Sequence, residues 1–145
     1  MSPRSLEQRI ADTRRRLETE VDAWVATVDD DGEPRMSLLS ILWSEDALLV
    51  ATSISGATGR NLSARATVRL GLGQTRDVVL IDGAVDVLPE VPAAVGAAFA
   101  AHAGFDPRPI PGFAFFRIRP RSIQAWREED ELAGRWILRD GAWLG

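Results

Sequence analysis

The sequence predicts a mainly β fold, a closed or half-closed antiparallel barrel carrying a few short helices. Three observations predict it: many short apolar runs at close spacing, Asp-Gly turn signals between pairs of them, and only three stretches with helical character. With 145 residues, 46% of them hydrophobic, the chain is long enough to bury a sizeable core as one unit.

In chain order, residues 5–21 set Leu6, Ile10, Thr13, Leu17 and Val21 at helical spacing with Arg14, Arg15, Arg16, Glu18 and Glu20 on the other faces, an amphipathic surface helix. The Arg14–Arg16 run reads as a solvated face rather than an anion patch. Ala23–Val28 and the apolar run Met36–Trp43 flank Asp31-Gly32, a hairpin signal. A turn at Glu45-Asp46 leads to the strand Ala47–Ala51. Beyond the loop that follows, Asn61–Arg65 makes a turn or two of helix. Strands resume at Val68–Leu72 and Val78–Leu88, the latter bent at Asp82-Gly83. Pro89 and Pro92 open a helix over Ala93–Ala103, which Gly104 stops, with His102 in its last turn. Phe113–Arg119 and Ser122–Trp126 read as two strands joined at Pro120, and Arg135–Leu138 pairs with Ala142–Leu144 around Asp140-Gly141. The expected organisation over residues 1–145 is a helix to residue 21, a barrel over 22–126 and a hairpin tail over 127–145.

Composition restricts the chemistry. The chain has one histidine, His102, and no lysine, tyrosine or cysteine, so most protein-borne nucleophiles and proton shuttles are missing. No metal-ligand cluster and no Ser/His/Asp spacing stands out. An enzyme built from these residues would leave the reaction to a bound cofactor. A net charge of −4 gives no reason to expect nucleic acid as a partner. The absence of a run of ~18 apolar residues and of a signal-peptide pattern predicts a cytoplasmic protein without a membrane span.

The segment Thr52-Ser53-Ile54-Ser55-Gly56-Ala57-Thr58-Gly59-Arg60-Asn61-Leu62 has the composition of a phosphate cradle. A strand breaks into hydroxyls and glycines and restarts as a helix, which offers unpaired N–H groups, side-chain donors and a positive helix end together. Thr58 is the candidate N-cap and Arg60 the candidate fixed charge. An ordinary strand-to-helix turn is the competing account of the same residues. A salt bridge from Arg60 to Asp77 is the competing account of that arginine.

This segment, together with Arg35-Met36-Ser37-Leu38-Leu39-Ser40 and the order of the elements, resembles the pyridoxamine 5'-phosphate oxidase-like split-barrel flavoproteins, in the branch that includes the F420-dependent reductases. The similarity covers about residues 20–126, and the tail from Gln124 to Leu144 looks like one subgroup. The resemblance implies a split β-barrel and a homodimer with two cofactors, FMN or F420, in grooves between the barrels. It implies that Met36, Ser37 and Leu38, after Arg35, line the ring through their backbone, that Thr52 and Ser53 reach the ring and ribityl chain, and that Ser55, Thr58, Gly59, Arg60 and Asn61 form the phosphate end. Asp77 stands where the oxidase carries a flavin-contacting glutamine, and Ala57-Thr58 where it carries an adjacent basic pair. Among Trp24, Trp43, Trp126, Trp136 and Trp143, Trp126 is the one expected near the cofactor, though such aromatics also serve as core or interface. The function so implied is hydride transfer to or from a small conjugated or heterocyclic substrate. A non-catalytic flavin or tetrapyrrole carrier, or a degenerate barrel, is the alternative.

Overall fold

A computed structural model describes residues 2–145. The chain runs α1 (Leu6–Thr19), β1 (Asp22–Val28), β2 (Pro34–Ser40), β3 (Leu42–Ser44), β4 (Ala47–Ser53), α2 (Ala57–Ala64), β5 (Thr67–Leu72), β6 (Val78–Leu88), α3 (Ala93–Ala103), β7 (Phe113–Trp126), a 3-10 turn (Glu129–Glu131), β8 (Trp136–Arg139) and β9 (Ala142–Trp143). All strand pairs are antiparallel, in the order β2-β1-β5-β6-β7-β4-β3, with β8 and β9 added beside β7. The sheet curls round one core without closing: β2 is an end strand with one free edge, and this is a split barrel. No helix among the described residues is long and apolar enough to cross a membrane.

Alternation builds the core. In β1, Ala23, Val25 and Thr27 are buried while Trp24 and Val28 face out. The buried side chains meet Leu48, Val50, Leu70, Ile81, Phe116, Ile118 and Ile123. Leu17 of α1 closes one side of this core, and Phe99 of α3 seats a second, smaller cluster with Leu49, Ala51 and Phe115. The apolar run Met36–Trp43 divides at Ile41, fully buried, whose N–H bonds the Val21 carbonyl at 2.8 Å. Glu45 and Asp46 both take positive φ, 52° and 59°, the geometry of a tight primed hairpin turn made without glycine.

One expected break is continuous structure. Pro120 lies inside the 14-residue β7 instead of joining two strands. A proline is tolerated there because the β6 register shifts between Asp82 and Gly83: Asp82 pairs with Ser122 and Gly83 with Pro120, so Arg121 is the bulged residue. Neither β4, whose pairing with β7 stops at Ile118, nor β8, whose pairing starts at Ile123, needs the missing N–H. Gly83 is obligatory, since a Cβ there would meet Ile118 Cγ2 at 2.5 Å and the Arg119 carbonyl oxygen at 3.0 Å.

Charged side chains fasten α1 to the rest. Glu131, buried after β7, accepts from the Arg4 N–H, Nε and Nη2 at 2.8, 3.0 and 2.7 Å and from the Arg127 N–H at 2.9 Å. The Arg4 guanidinium holds its carboxyl down at about 2. Buried Arg9 donates to the carbonyls of Gly134 and Arg4. Arg16, expected on a solvated face, instead donates to the carbonyls of Asp77 at 2.6 Å and Gly73 at 2.8 Å, docking α1 on the β5–β6 connection. His102 meets the Glu20 carbonyl through Nε2 at 2.8 Å, joining the end of α3 to the end of α1.

Candidate functional site

The site candidates gather where the barrel is open. The end of β4 leads through Ile54, Ser55 and Gly56 into α2, and α2 stands beside the free edge of β2. Ser53 starts the reversal by accepting the Gly56 N–H at 3.2 Å, while the Ile54 N–H bonds the Gly112 carbonyl at 2.8 Å. The helix begins four residues before the expected Asn61 start, with Gly56 as N-cap and Thr58 in its first turn. Gly56 contributes no side-chain cap, so Thr58 is not the N-cap the sequence suggested. The first helical bond runs from the Arg60 N–H to the Gly56 carbonyl at 2.9 Å. Among the described residues no acceptor is bonded to the N–H groups of Ala57, Thr58 and Gly59. A helix start left uncapped in this way is a ready anion site.

Hydroxyls surround those amides. Ser37 Oγ of β2 and Thr58 Oγ1 of α2 are 2.6 Å apart, which fastens the end strand β2 to the first turn of the helix. Ser53 Oγ and Ser55 Oγ are 3.2 Å apart. Gly59 makes the close approach possible: a Cβ on it would lie 2.9 Å from the Ser53 carbonyl carbon and 3.0 Å from Ile54 Cα. The exposed Arg60 guanidinium folds back on the Ser55 carbonyl, within reach of the same amides. Its competing partner, Asp77, is instead engaged by Arg16 at 3.3 Å and Arg127 at 3.4 Å.

Arg35 and Asn61 are drawn into a separate network. The Arg35 fork grips Asp29 at 2.9 and 3.0 Å, and the buried Asn61 donates to Asp29 Oδ1 at 2.7 Å and Thr27 Oγ1 at 3.1 Å. Hydrogen bonds from Arg35 first, then Asn61, hold the Asp29 carboxyl down at about 2. Asn61 therefore ties α2 to β1. The roles of Asp29 and Thr27 were not visible in sequence, because the contact joins residues more than thirty positions apart with no motif between them.

Asp77 and Trp126 lie elsewhere. Ser53 pairs with Phe113 at one end of β7, whereas Trp126 pairs with Val78 at the other, roughly 40 Å of strand path away. The fold therefore brings together Ser37, Thr52, Ser53, Ser55, Thr58, Gly59 and Arg60, and leaves Asp77 and Trp126 as a second set. The outward face of the β1–β2 hairpin is apolar: Trp24, Met36 and Leu38 are 47%, 66% and 55% exposed, with Trp24 opposite Leu38 and Met36 opposite Ala26. Beside them a concavity of about 330 Å³ is lined by Leu80, Val78 and Gly71.

Residues 11–127 match the family model for pyridoxamine 5'-phosphate oxidase. No curated protein matches the sequence. Among solved structures, an F420 reductase superposes with a TM-score of 0.65 at 19% identity, covering 76% of this chain and 94% of that one. The heme storage protein HutZ from Vibrio cholerae gives 0.64 at 18% identity, covering 85% and 96%. General Stress Protein 26 from Bacillus anthracis gives 0.65 at 18%, covering 86% and 95%. At these identities the structures share a fold.

Proposed function

The chain belongs to the pyridoxamine 5'-phosphate oxidase family, and from that premise we propose that it is a cytoplasmic, homodimeric oxidoreductase that holds FMN or F420 between the free edge of β2 and the β4–α2 loop. The observation that carries the reading is the set of three unbonded amides at Ala57, Thr58 and Gly59, ringed by Ser37, Ser53, Ser55 and Thr58 hydroxyls and by Arg60. That donor set suits a phosphate, and an open strand edge suits the polar rim of a flat ring. The missing basic pair at Ala57-Thr58 leaves Arg60 as the main charged contact.

When bound, such a cofactor supplies the hydride-carrying ring for a small conjugated or heterocyclic substrate. The chain itself binds and orients. Asp29, the carboxylate bonded to Arg35 and Asn61, stays ionised and locked by them, so it neither gives nor takes a proton near neutral pH. This is consistent with chemistry that needs positioning more than acid–base help.

Titrating the protein separately with FMN and F420 and following absorbance or fluorescence decides the cofactor: tight binding of one supports the reading, and binding of neither defeats it. Heme binding in place of both would favour the carrier alternative. Arg60→Ala should weaken the accepted cofactor ten- to a hundredfold, the loss of a charge-assisted contact of about 1.5–3 kcal/mol, with the apo thermal midpoint unchanged within a few degrees. Unaltered affinity would remove Arg60 from the site.

The exposed Trp24, Met36 and Leu38, neighbours on the outer face of the β1–β2 hairpin, support the dimer. A second copy would also offer Trp126 and Asp77 to a loop that its own chain cannot reach. Light scattering should give twice the 15.8 kDa chain mass at micromolar concentration, and a clean monomer would reject the shared site.

A further inference from the structure

A groove of about 810 Å³ crosses the outer surface of β1, β2, β5 and β6, borders the cofactor candidates Arg35, Met36 and Asn61, and reaches the C-terminal end of α2. That volume is of the size that takes a small molecule. The eight residues of α2 separate it from the three free amides by about 12 Å of helix. Ala26, Val28 and Met36 give it an apolar floor, yet four arginines stand on it, Arg35, Arg65, Arg69 and Arg121, in a chain of net charge −4.

Two of the four are already neutralised. Arg35 is forked onto Asp29, and Arg69 onto Asp82 at 2.6 and 3.1 Å. Arg65 and Arg121 have no carboxylate within 4 Å and no side-chain hydrogen bond among the described residues. Local structure puts both there. Arg65 is the C-cap of α2, in extended geometry at φ −121° and ψ 143°, so its side chain leaves the helix. Arg121 is the extra residue of the β6–β7 bulge, a device that re-aims a side chain, and its partner across the bulge is the side-chain-free Gly83, also on the groove. Unpaired guanidiniums beside an apolar surface complement a ligand with the same two parts.

We infer that this groove binds a small amphipathic anion, its apolar body on Ala26 and Val28 and its carboxylate or phosphate against Arg65 and Arg121. Its anchors, Arg65 and Arg121, are not among the residues assigned to the cofactor, so a variant of these two tests the groove apart from the hydride-transfer reading.

Calorimetric titration of the full-length protein with octanoate, octyl phosphate and neutral 1-octanol, all below micellar concentration, tests it. At least one anion should bind, the better of the two identifying the head group. R65Q/R121Q should weaken that anion tenfold or more while leaving octanol unchanged. Both side chains are exposed, so the double variant should keep its thermal midpoint within a few degrees and still bind FMN or F420 wherever the wild type does. Four results would overturn the proposal: no anion binding, octanol binding as tightly as the anions, an unaffected double variant, or displacement of the bound anion by saturating FMN. An anion that binds only to the monomer, with the double variant altering dimer mass instead, would also overturn it and make the groove a contact between copies.

Discussion

Glu131→Ala should lower the thermal midpoint at pH 7 by roughly 10–15 °C in calorimetry. Glu131 is 4% exposed and receives three bonds from Arg4 and one from the Arg127 backbone. Among the described residues, removing it leaves Arg4 with Asp12 as its one carboxylate and takes away the only carboxylate near the buried Arg9, whose Nε already lacks a partner. Breaking a buried ion pair from one side costs about 3–5 kcal/mol, and a domain of this size loses roughly 3–4 °C for each kcal/mol. Acid should do the same more gradually. The Glu131 carboxyl is held at about 2 in the folded chain against an ordinary value of 4.5. Its contribution is thus complete above pH 4.5 and is lost as pH falls towards 2, an upper limit of about 3 kcal/mol. Glu131→Gln should be less stable than wild type at pH 7 and should show a shallower fall in midpoint between pH 4.5 and 2. A wild-type midpoint in Glu131→Ala would mean that the cluster contributes nothing.

Gly59→Ala should weaken cofactor binding on the order of a hundredfold and lower the apo midpoint by about 5–10 °C. The added Cβ would run into the Ser53 carbonyl and approach Ile54 Cα at 3.0 Å. Both obstacles are backbone, so the loop itself must move, and overpacking of this kind costs about 1–3 kcal/mol. The three free amides move with it. Gly56→Ala is the matched control, because its Cβ would sit 3.6 Å from the Ser53 oxygen, an ordinary contact, at a φ of −74° that alanine accepts. It should bind cofactor like wild type. Equal affinity in both variants would separate the loop geometry from binding and undo the assignment of the site.

These two positions also mark what sequence discloses and what it withholds. The Asp31-Gly32 hairpin, the Ala93–Ala103 helix with its Gly104 stop and the Asp82-Gly83 bend were legible because each depends on a few neighbouring residues. Gly59 belonged to a readable loop, but the reason it must be glycine is a contact with Ser53 that only folding creates. Pro120 misled, because the rule that proline ends a strand assumes a regular ladder and the bulge removes the need for its N–H. Arg16 misled for a different cause: a long cationic stem on a polar helix face is equally at home in water and on two carbonyls of a docked loop. Of the candidate site, the hydroxyl and glycine set was readable as a local run, whereas Asn61 turning inward to Thr27 and Asp29 was not.

The Glu131 cluster has a bearing on the order in which the molecule assembles. The hairpins β1–β2, β3–β4 and β5–β6 close over short connections and can form early. The bond between Arg4 and Glu131 spans 127 positions, and the entropy of closing so long a loop must be met before that contact returns anything. It therefore belongs to the last stage of folding, and its release to the first stage of unfolding. In that opening α1 and the segment after β7 come away together, uncovering Leu17 and Ile137 while the curled sheet is still paired. Arg4 and Glu131 thus act as one latch that holds α1 and the segment after β7 to the barrel together.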